Sequence, residues 1–386
     1  FLKTFVDKPS VLSHVARRYG RYGLPLEVFD EELENQPHPD VILVTSGMTY
    51  WYLGPFEAIK RARARFPDVP VVLGGVYATL CPEHARQNSG ADYVVQGEGE
   101  AEALRLADAL MGNQSDLSRY TESLDSLPWP LHELRRDQGF VAIQTSRGCP
   151  FRCTYCASAL LHPQGFRRRS PNHVADEIEH CWRVLGIRDF AFYDDALLVD
   201  EERHLHVILD QTLERQLSCR FHTPNGLHAR YVDHRLAGKM FRAGFKTIRL
   251  GLETSHPLEQ ELTGAKITNQ EFRHAVQALK DAGFRSNQIT AYVLMGLPGQ
   301  SVRSVSESVA FVHSCGVRAQ IAECSLIPGT TEWVRAVHQG LFAPQADPLL
   351  HNGTAYPLPW FDAEREAFEK VKLEALAGNR QLTEGS

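Results

Sequence analysis

The chain has 386 residues, of which 43% are apolar, and a formal net charge of −6. This length exceeds what one hydrophobic core usually serves, so we predict two domains. The mild acidity argues against a non-specific nucleic-acid binder, which would need a basic face. No apolar run approaches the ~18 residues that a membrane span requires.

The start of the chain and its cysteines indicate a cytoplasmic protein. No charged and then apolar leader follows Phe1, so we expect a trimmed or processed start rather than a secretory one. The eight cysteines are too few and too unevenly spaced for a disulfide scaffold. A reducing cytoplasm is therefore the expected compartment.

The first 112 residues alternate between patterns typical of strands and helices. Strands are predicted at 26–29, 41–44, 71–73 and 93–95. Helices are predicted over 11–19, from Pro55, after Pro82 and over 101–111. This alternation indicates an α/β fold with a Rossmann-like, doubly wound parallel sheet. Because the strands are continuous apolar runs, we expect both faces of the sheet to be covered.

Small and polar residues follow the later strands of this domain. They are Thr45 and Ser46, Gly74 and Gly75, and Gly97 and Glu98. Ligands of open α/β sheets bind beyond the carboxyl ends of strands, where glycine permits close approach. Tight turns need glycine with or without a ligand, so a purely structural role is an equal alternative. The absence of a Gly-x-Gly-x-x-Gly or Walker motif disfavours a nicotinamide or nucleotide ligand.

A polar, interrupted stretch over 113–139 predicts a linker, and a second domain follows over 140–331. Its predicted strands are 141–145, 188–193, 219–223, 246–252, 289–295 and 319–325. A helical pattern follows each of the first five strands, which predicts a partial (β/α)6 barrel of the TIM type. Glycines that end successive helices recur at 186, 244, 283 and 316. Residues 332–386 are predicted to form a C-terminal helical extension.

Three cysteines follow the first strand of the predicted barrel. Cys149, Cys153 and Cys156 have Cys-x3-Cys-x2-Cys spacing, so their thiolates can converge from one loop. A structural zinc normally needs four ligands, and no nearby pair completes such a set. Three thiolates on a four-iron four-sulfur (4Fe-4S) cluster leave one iron open for substrate, which fits the spacing better. The other five cysteines have apolar neighbours and are expected to be buried.

This motif, with the aromatic Tyr155 before its last cysteine, resembles the radical S-adenosylmethionine (SAM) superfamily. The resemblance continues in Gly251-Leu252-Glu253, in Gly296 to Gln300 and in Ile327 to Thr330. The N-terminal half resembles the cobalamin-binding-type domain that precedes such barrels in one large subgroup. Val71 to Gly75 and Val94 to Glu100 carry that second resemblance.

The resemblance implies a 4Fe-4S cluster whose open iron binds SAM, and reductive cleavage of SAM to a 5′-deoxyadenosyl radical. It implies that Tyr155 lies near the adenine, with Gly296, Leu297 and Ile327 bordering it. Glu253 would bind the ribose or the amino group, although a structural pair with a cation such as Arg249 is an alternative. Asp194, Asp195, His222 and Asn225 would face the same mouth, with turn formation as their alternative role.

The second resemblance implies cobalamin in the N-terminal domain, whose first strand we expect to be missing. Thr45, Ser46, Gly74, Gly75, Gly97 and Glu98 would then border the cobalamin. An aromatic loop at 49–52 would face the corrin or seal an interface. The chain has no Asp-x-His-x-x-Gly run, so we expect no histidine on the lower face of cobalamin.

Three functions follow. The first is a radical SAM enzyme for cobalamin-dependent methylation of an unactivated carbon, or for a rearrangement or cyclisation. The second is a radical SAM enzyme with a vestigial domain that holds no cobalamin, and the third is a non-catalytic iron-sulfur electron carrier. The expected partners are a small-molecule or natural-product-like substrate and a flavodoxin- or ferredoxin-type electron donor, but no nucleic acid. Arg167 to Arg169 could meet an anionic substrate or an acidic donor, although a solvated face is more usual for such a run.

Overall fold

The structure, a computed structural model, describes residues 2–117, 120, 123–134, 139–355 and 359–384. The chain forms two compact units. The first comprises Phe1–Thr121, Leu160–Pro163 and Ser325–Asp362, and the second comprises Glu122–Ala159, Gln164–Cys324 and Ala363–Ser386. Parts of the predicted linker (118–119, 121–122 and 135–138) and of the predicted extension (356–358 and 385–386) lie outside the described residues.

The first unit opens with a small antiparallel pair, β1 (Lys3–Phe5) with β2 (Gly20–Tyr22), followed by α1 (Leu26–Glu34). Two predictions are wrong here. The segment 11–19 is mostly irregular, with a single 3-10 turn at Ser10–Leu12. At its end the Tyr19 carbonyl accepts from the Val6 amide at 3.3 Å, which continues the β1–β2 pairing. The segment 26–29 is helical, not a strand: Pro25 precedes its first turn, and no described strand pairs with it.

A parallel sheet of β3 (Ile42–Ser46), β4 (Val71–Gly75) and β5 (Tyr93–Val94) forms the centre of this unit. The helices are α2 (Leu53–Arg65), α3 (Val76–Leu80), α4 (Pro82–Asn88) and α5 (Glu100–Met111). The predicted strand and helix alternation is confirmed. The prediction of two covered faces holds for the buried β4 but is wrong for β3, where Leu43 is 57% exposed.

The second unit contains a larger parallel sheet in which neighbouring strands follow chain order. It comprises β6 (Phe140–Ile143), β9 (Asp189–Phe192), β10 (Arg220–His222), β12 (Phe245–Glu253), β13 (Ile289–Met295) and β14 (Arg318–Glu323). β7 (Ser146–Arg147) pairs with β8 (Arg167–Arg168), and the short β11 (Leu227–His228) pairs with β12. All six predicted strands are present, so the predicted α/β architecture is confirmed.

The remaining helices are α6 (Ser158–Leu161), α7 (Pro171–Arg183), α8 (Leu205–Glu214), α9 (His234–Ala243), α10 (Pro257–Leu262), α11 (Asn269–Asp281), α12 (Val302–Ser314), α13 (Thr331–His338) and α14 (Pro359–Glu384). The side chain of Ser170 caps α7, and Thr268 with Glu271 forms the predicted capping box of α11. Gly244 ends α9 in the left-handed conformation. None of the described helices combines the length and apolarity that a membrane crossing needs.

Candidate functional site

The cysteine loop runs from β7 to α6 in the second unit. Gly148 starts it with φ +76°, a conformation that favours glycine, and the three cysteines that follow are free thiols. Burial, together with charge on Cys156 and Cys153, raises the pKa of the Cys149 thiol to about 11. Isolated thiolates are therefore unfavourable here, and positive charge from a bound metal centre would offset that cost.

Three cysteines on one loop are a donor set that suits a four-iron four-sulfur cluster with one iron left open. Within the described part of the chain, no three His, Cys, Asp or Glu side chains converge as ligands of one metal ion would. A cubane cluster takes each thiolate on a different iron, so its ligands stand apart while sharing one loop. The Ser158 amide donates to Cys156 Sγ at 3.4 Å, which already orients that sulfur.

A segment between α10 and α11 lies directly on this loop. The Thr154 amide donates to the Thr263 carbonyl at 3.2 Å. Gly264 has φ +118°, and a Cβ there would lie 3.1 Å from Cys153 Cα. Glycine is therefore required by close approach as well as by conformation. Sequence reasoning missed this contact, although the Thr-Gly-Ala-Lys run between two helical patterns carried a turn signal.

Glu253 forms an ion pair beside the cysteines. Its Oε1 lies 3.1 Å from Lys266 Nζ, and the two side chains are only 12% and 14% exposed. Burial opposes the charge on Lys266, but Glu253 and then Cys153 outweigh it and raise the lysine pKa. A pair with a nearby cation, the predicted alternative, is therefore present, but its example was wrong: Arg249 Nη1 donates to Thr290 Oγ1 at 2.5 Å. Sequence reasoning missed Lys266.

The backbone at Glu253 is strained. Its φ is +68°, and the pairing of β12 with β13 shifts register between Gly251 and Glu253. A Cβ at Gly251 would lie 2.6 Å from Lys266 Nζ, so the glycine makes room for the pair. Left-handed non-glycine residues cost about 1–3 kcal/mol and concentrate at functional sites. We therefore assign a ligand-binding role to this strand end as a hypothesis.

Gln300 organises the loop after β13. Its Oε1 accepts from the amides of Gly296 at 2.9 Å and Leu297 at 3.3 Å. Its Nε2 donates to the Leu294 carbonyl at 3.2 Å. Leu294 and Leu297 form an apolar cluster with Cys324, and Tyr155 packs against that cluster. The structure thus brings together Tyr155 and Leu297, two residues expected near an adenine.

Asp194 fastens the residues that precede the cysteine loop. It is buried, and its Oδ1 accepts from the Thr145 amide at 3.0 Å, the Thr145 hydroxyl at 2.7 Å and the Ser146 hydroxyl at 2.6 Å. Burial raises its pKa, against the lowering effect of these bonds. Asn225 Nδ2 donates to the Tyr193 carbonyl at 2.9 Å. Both contacts agree with a positioning role.

Other predicted mouth residues also have protein partners. Asp195 Oδ2 accepts from the Ser158 hydroxyl at 2.6 Å. His222 Nδ1 lies 2.9 Å from Thr247 Oγ1, and its Nε2 lies 3.1 Å from Asp189 Oδ1. These bonds add rigidity on either side of the cysteine loop and the third strand.

Two further predicted groups have different surroundings. Ile327 belongs to the first unit, where its carbonyl accepts from the Thr330 amide at 3.2 Å. Arg168 pairs with Asp200 at 2.8 Å and Arg169 with Glu177 at 2.6 Å. The arginine run is therefore engaged within the second unit, which argues against a free anion-binding patch.

The candidate cobalamin residues of the first unit bond largely to one another. Ser46 Oγ, next to Thr45, donates to the Gly74 carbonyl at 2.6 Å. Gly75 has φ +90° and approaches the Ser46 backbone too closely for any Cβ. These contacts join the carboxyl ends of β3 and β4, so glycine has a structural reason here.

The end of β5 is joined to the same edge. The Gly97 amide donates to Thr79 Oγ1 at 2.9 Å, and that hydroxyl donates to the Gly75 carbonyl at 2.8 Å. Glu98 Oε1 lies 3.0 Å from His162 Nδ1, and both side chains are mostly buried. The edge therefore presents glycine-rich backbone rather than free charge.

The aromatic loop after β3 divides into an inner and an outer part. Tyr52 is buried and its hydroxyl donates to Asp347 at 3.1 Å. Trp51 is 61% exposed. A Cβ at Gly47 would lie 2.8 Å from the Trp51 ring, so the loop is tightly turned. Trp51 is thus an exposed aromatic surface after a strand end, where ligands of such sheets bind.

The chain is similar to two families and to several proteins named as methyltransferases or cyclases. Residues 143–312 match the Radical SAM superfamily and residues 24–107 match the B12 binding domain. The uncharacterized methyltransferase PH0819 of Pyrococcus horikoshii is 26% identical over 78% of this chain and 70% of that protein. The anaerobic magnesium-protoporphyrin IX monomethyl ester cyclase of Rubrivivax gelatinosus is 26% identical over 70% of this chain and 53% of that protein.

Solved structures agree on the fold. The radical SAM methyltransferase TsrM from Kitasatospora setae, with cobalamin and a 4Fe-4S cluster bound, has a TM-score of 0.69 at 18% identity, covering 85% of this chain and 76% of that chain. The cobalamin-dependent radical enzyme OxsB has a TM-score of 0.58 at 16% identity, over 82% of this chain and 49% of that chain. The predicted resemblances and cofactor classes are confirmed by the family matches, as is the prediction of an enzyme rather than an electron carrier.

Proposed function

We propose that this chain, whose residues 143–312 match the Radical SAM superfamily and whose residues 24–107 match the B12 binding domain, is a cobalamin-dependent methyltransferase that acts on an unactivated carbon. One observation carries the proposal: the cysteine loop, the strained Glu253 and the buried Lys266 lie together at one end of the larger sheet. A relative named a methyltransferase, similar over 78% of the chain, favours methylation among radical outcomes.

Cys149, Cys153 and Cys156 would hold the cluster. When bound, the cluster supplies an electron for SAM cleavage and cobalamin supplies a methyl carrier. The protein supplies orientation and shielding. Gly264 lets the segment 263–266 cover the cysteine loop, which fixes the loop and limits water access.

Glu253 and Lys266 would bind polar groups of SAM. The ammonium or a ribose hydroxyl of SAM complements the Glu253 carboxylate, and the SAM carboxylate complements Lys266. In the free protein the two side chains pair with each other, which keeps both charges satisfied while buried. SAM would exchange this pair for two pairs of its own.

Tyr155, Gly296 and Leu297 would hold the adenine. Gln300 fixes the Gly296 and Leu297 amides, and Leu297 with Tyr155 offers an apolar surface. Asp194 and Asn225 would act as positioning residues at the strand ends rather than as ligands.

The first unit would bind cobalamin at the carboxyl edge of its small sheet. Gly74, Gly75 and Gly97 present backbone, with Thr45, Ser46 and Glu98 beside them, and Trp51 presents a flat surface to the corrin. The substrate would be a small molecule, and a flavodoxin- or ferredoxin-type protein would supply electrons. A cytoplasmic location agrees with the free thiols.

Cyclisation is the second candidate, because a relative similar over 70% of the chain is named a cyclase. Anaerobic protein with cluster, cobalamin, SAM and reductant is incubated with candidate cell extracts and compared with Cys153→Ala protein. A product heavier by one methyl group, with 5′-deoxyadenosine, supports methylation. A new product without methyl gain supports cyclisation.

Two further outcomes concern the cofactors. Turnover by protein without cobalamin would indicate that the first unit is a vestigial domain that holds no cobalamin. The absence of SAM cleavage by cluster-loaded protein would contradict the proposal.

A further inference from the structure

His228 is held beside the cysteine loop by a strand that is only two residues long. β11 pairs in parallel with β12, and His228 is in register with Gly251. A Cβ at Gly226 would lie 3.2 Å from the Gly251 amide, so the two chains approach closely. His228 therefore lies beside the residue two places before Glu253 on β12. It is buried, with only 4% of its surface exposed. Sequence reasoning assigned His228 no role.

The imidazole faces one of the three cysteines. Its Nε2 lies 4.0 Å from Cys149 Sγ, at the limit of hydrogen-bond reach for sulfur. Phe151, two residues after Cys149, stacks on the ring with centroids 4.6 Å apart and an interplanar angle of 24°. The Tyr231 ring lies edge-on to the imidazole, with ring centroids 6.5 Å apart. The ring is therefore clamped in part by the loop that carries the cysteine.

The chemistry of a ligating sulfur fixes the direction of this contact. A thiolate bound to iron carries no proton, so in a hydrogen bond between these two atoms the ring nitrogen is the donor. Cys156 receives its bond from the Ser158 backbone amide, which every residue type at that position except proline would supply. The bond to Cys149 depends instead on one side chain. Hydrogen bonds to cluster sulfurs set reduction potentials, since they stabilise the more negative reduced state.

We propose that His228 donates its Nε2 proton to the Cys149 thiolate and thereby raises the reduction potential of the cluster. The inference rests on the proposed function, because it requires the cluster on Cys149, Cys153 and Cys156. His228 is a positioning and tuning residue. It touches neither SAM nor substrate in this account, and its effect is exerted through Cys149.

The test measures the midpoint potential of the cluster by anaerobic titration followed by electron paramagnetic resonance, without SAM. His228→Leu removes the donor at similar volume, whereas His228→Gln keeps an N–H near the position of Nε2. We expect a more negative potential for His228→Leu and a potential close to that of the wild type for His228→Gln. His206→Leu removes another buried histidine, in α8, and is expected to leave the potential unchanged.

A second measurement needs no destabilising variant. In wild-type protein labelled with 15N-histidine, we expect a nitrogen hyperfine coupling to the reduced cluster, and His228→Gln should lose it. A potential unchanged in iron-replete His228→Leu, or the absence of the histidine coupling in reduced wild type, overturns the inference. Failure of the wild type to bind a cluster on the three cysteines overturns the proposed function instead.

Discussion

The carboxyl edges of the two parallel sheets offer ligands in different ways. At the larger sheet, charged and sulfur-bearing side chains converge: free cysteines lie beside the buried Glu253 and Lys266 pair. At the smaller sheet, Ser46 and Thr79 satisfy the carbonyls of Gly74 and Gly75, and the exposed group is the Trp51 ring. The first edge therefore suits the charged ligand and metal centre that we propose for it, whereas the second suits a large, flat ligand held by shape.

This difference also explains where strain lies. Glu253 takes a left-handed conformation that glycine would adopt at lower cost, as our proposal that its carboxylate binds SAM requires. At the smaller sheet the left-handed positions, Gly75 and Gly97, are glycines. The two edges therefore differ in where a left-handed backbone occurs: at a non-glycine residue, Glu253, in the larger sheet and only at these glycines in the smaller one.

The largest expected effect is the loss of iron when a cysteine at the edge of the larger sheet is replaced. Cys153→Ala should abolish the cluster, because two thiolates cannot hold it stably on one loop. Iron and sulfide analysis with the visible absorption spectrum measures this after anaerobic reconstitution. Cys181→Ala, which removes a fully buried cysteine of α7, is the control and should keep full iron. Iron loss in Cys181→Ala with retention in Cys153→Ala would reverse the assignment.

The next effect concerns SAM affinity at the larger sheet. Glu253→Gln should weaken SAM binding roughly 10- to 100-fold, because a hydrogen bond to a charged group contributes about 1.5–3 kcal/mol. Iron content should not change. Glu271→Gln is the matched control, since Glu271 belongs to the exposed capping box of α11. Equilibrium dialysis with labelled SAM measures both variants, and equal affinities would make Glu253 purely structural.

At the smaller sheet, backbone shape should matter most. Gly75→Ala should cost about 3 kcal/mol of unfolding free energy, from left-handed strain and from overlap with Ser46. Cobalamin retention should fall with it. At Gly97, also left-handed, nothing lies within 4 Å of an added Cβ, so Gly97→Ala should cost only about 1–2 kcal/mol. Denaturant unfolding of both variants measures the difference, and equal costs would show that the approach to Ser46 is unimportant.

The larger sheet should also be sensitive to acid through His204. Burial, and then Arg168, lower the His204 pKa to about 4, and its Nε2 lies 2.8 Å from Thr145 Oγ1. Because the folded-state pKa is below the unfolded value, this stability is present above about pH 6.5 and is lost as pH falls toward 4. The loss between about pH 7 and pH 5 should be about 2 kcal/mol. His204→Gln should flatten this dependence in denaturant titrations, and identical slopes would contradict it.

The smallest effect on stability is expected at Trp51. Because the side chain is 61% exposed, Trp51→Ala should change the free energy of unfolding by no more than about 0.5 kcal/mol. It should nevertheless reduce cobalamin retention in gel filtration. Lys60→Ala, at an exposed position of α2, is the control. Full cobalamin retention by Trp51→Ala would remove the ring from the proposed corrin surface.

The strands of the larger sheet could be predicted because local signals agreed. Apolar runs, helix caps such as Thr268 with Glu271, and glycines such as Gly244 all placed the same boundaries. Near the start of the chain the local signals did not agree on one structure. Residues 26–29 suit a short strand or a helix, and such a choice depends on pairing partners and on Pro25, which precedes the first turn.

The candidate site was predictable only where chemistry is local in sequence. The cysteine spacing and the Gly-Leu-Glu strand end could be read directly. Lys266 and His228 could not, because folding alone brings them to Glu253 and Cys149. Arg249, the example of a cation partner that the sequence offered, lies four residues before Glu253 on β12, about 13 Å away along the strand, and the register shift between Gly251 and Glu253 lies between them.

The most direct test of the account is to measure iron and cobalamin together in two variants of the full chain. After anaerobic loading with both cofactors and gel filtration, Cys153→Ala should retain cobalamin but no cluster. Gly75→Ala should retain the cluster but lose most of the cobalamin. This crossed pattern is what two separate edges with separate ligands predict. Loss of both cofactors from each folded variant, or retention of cobalamin by Gly75→Ala at the wild-type level, would contradict it.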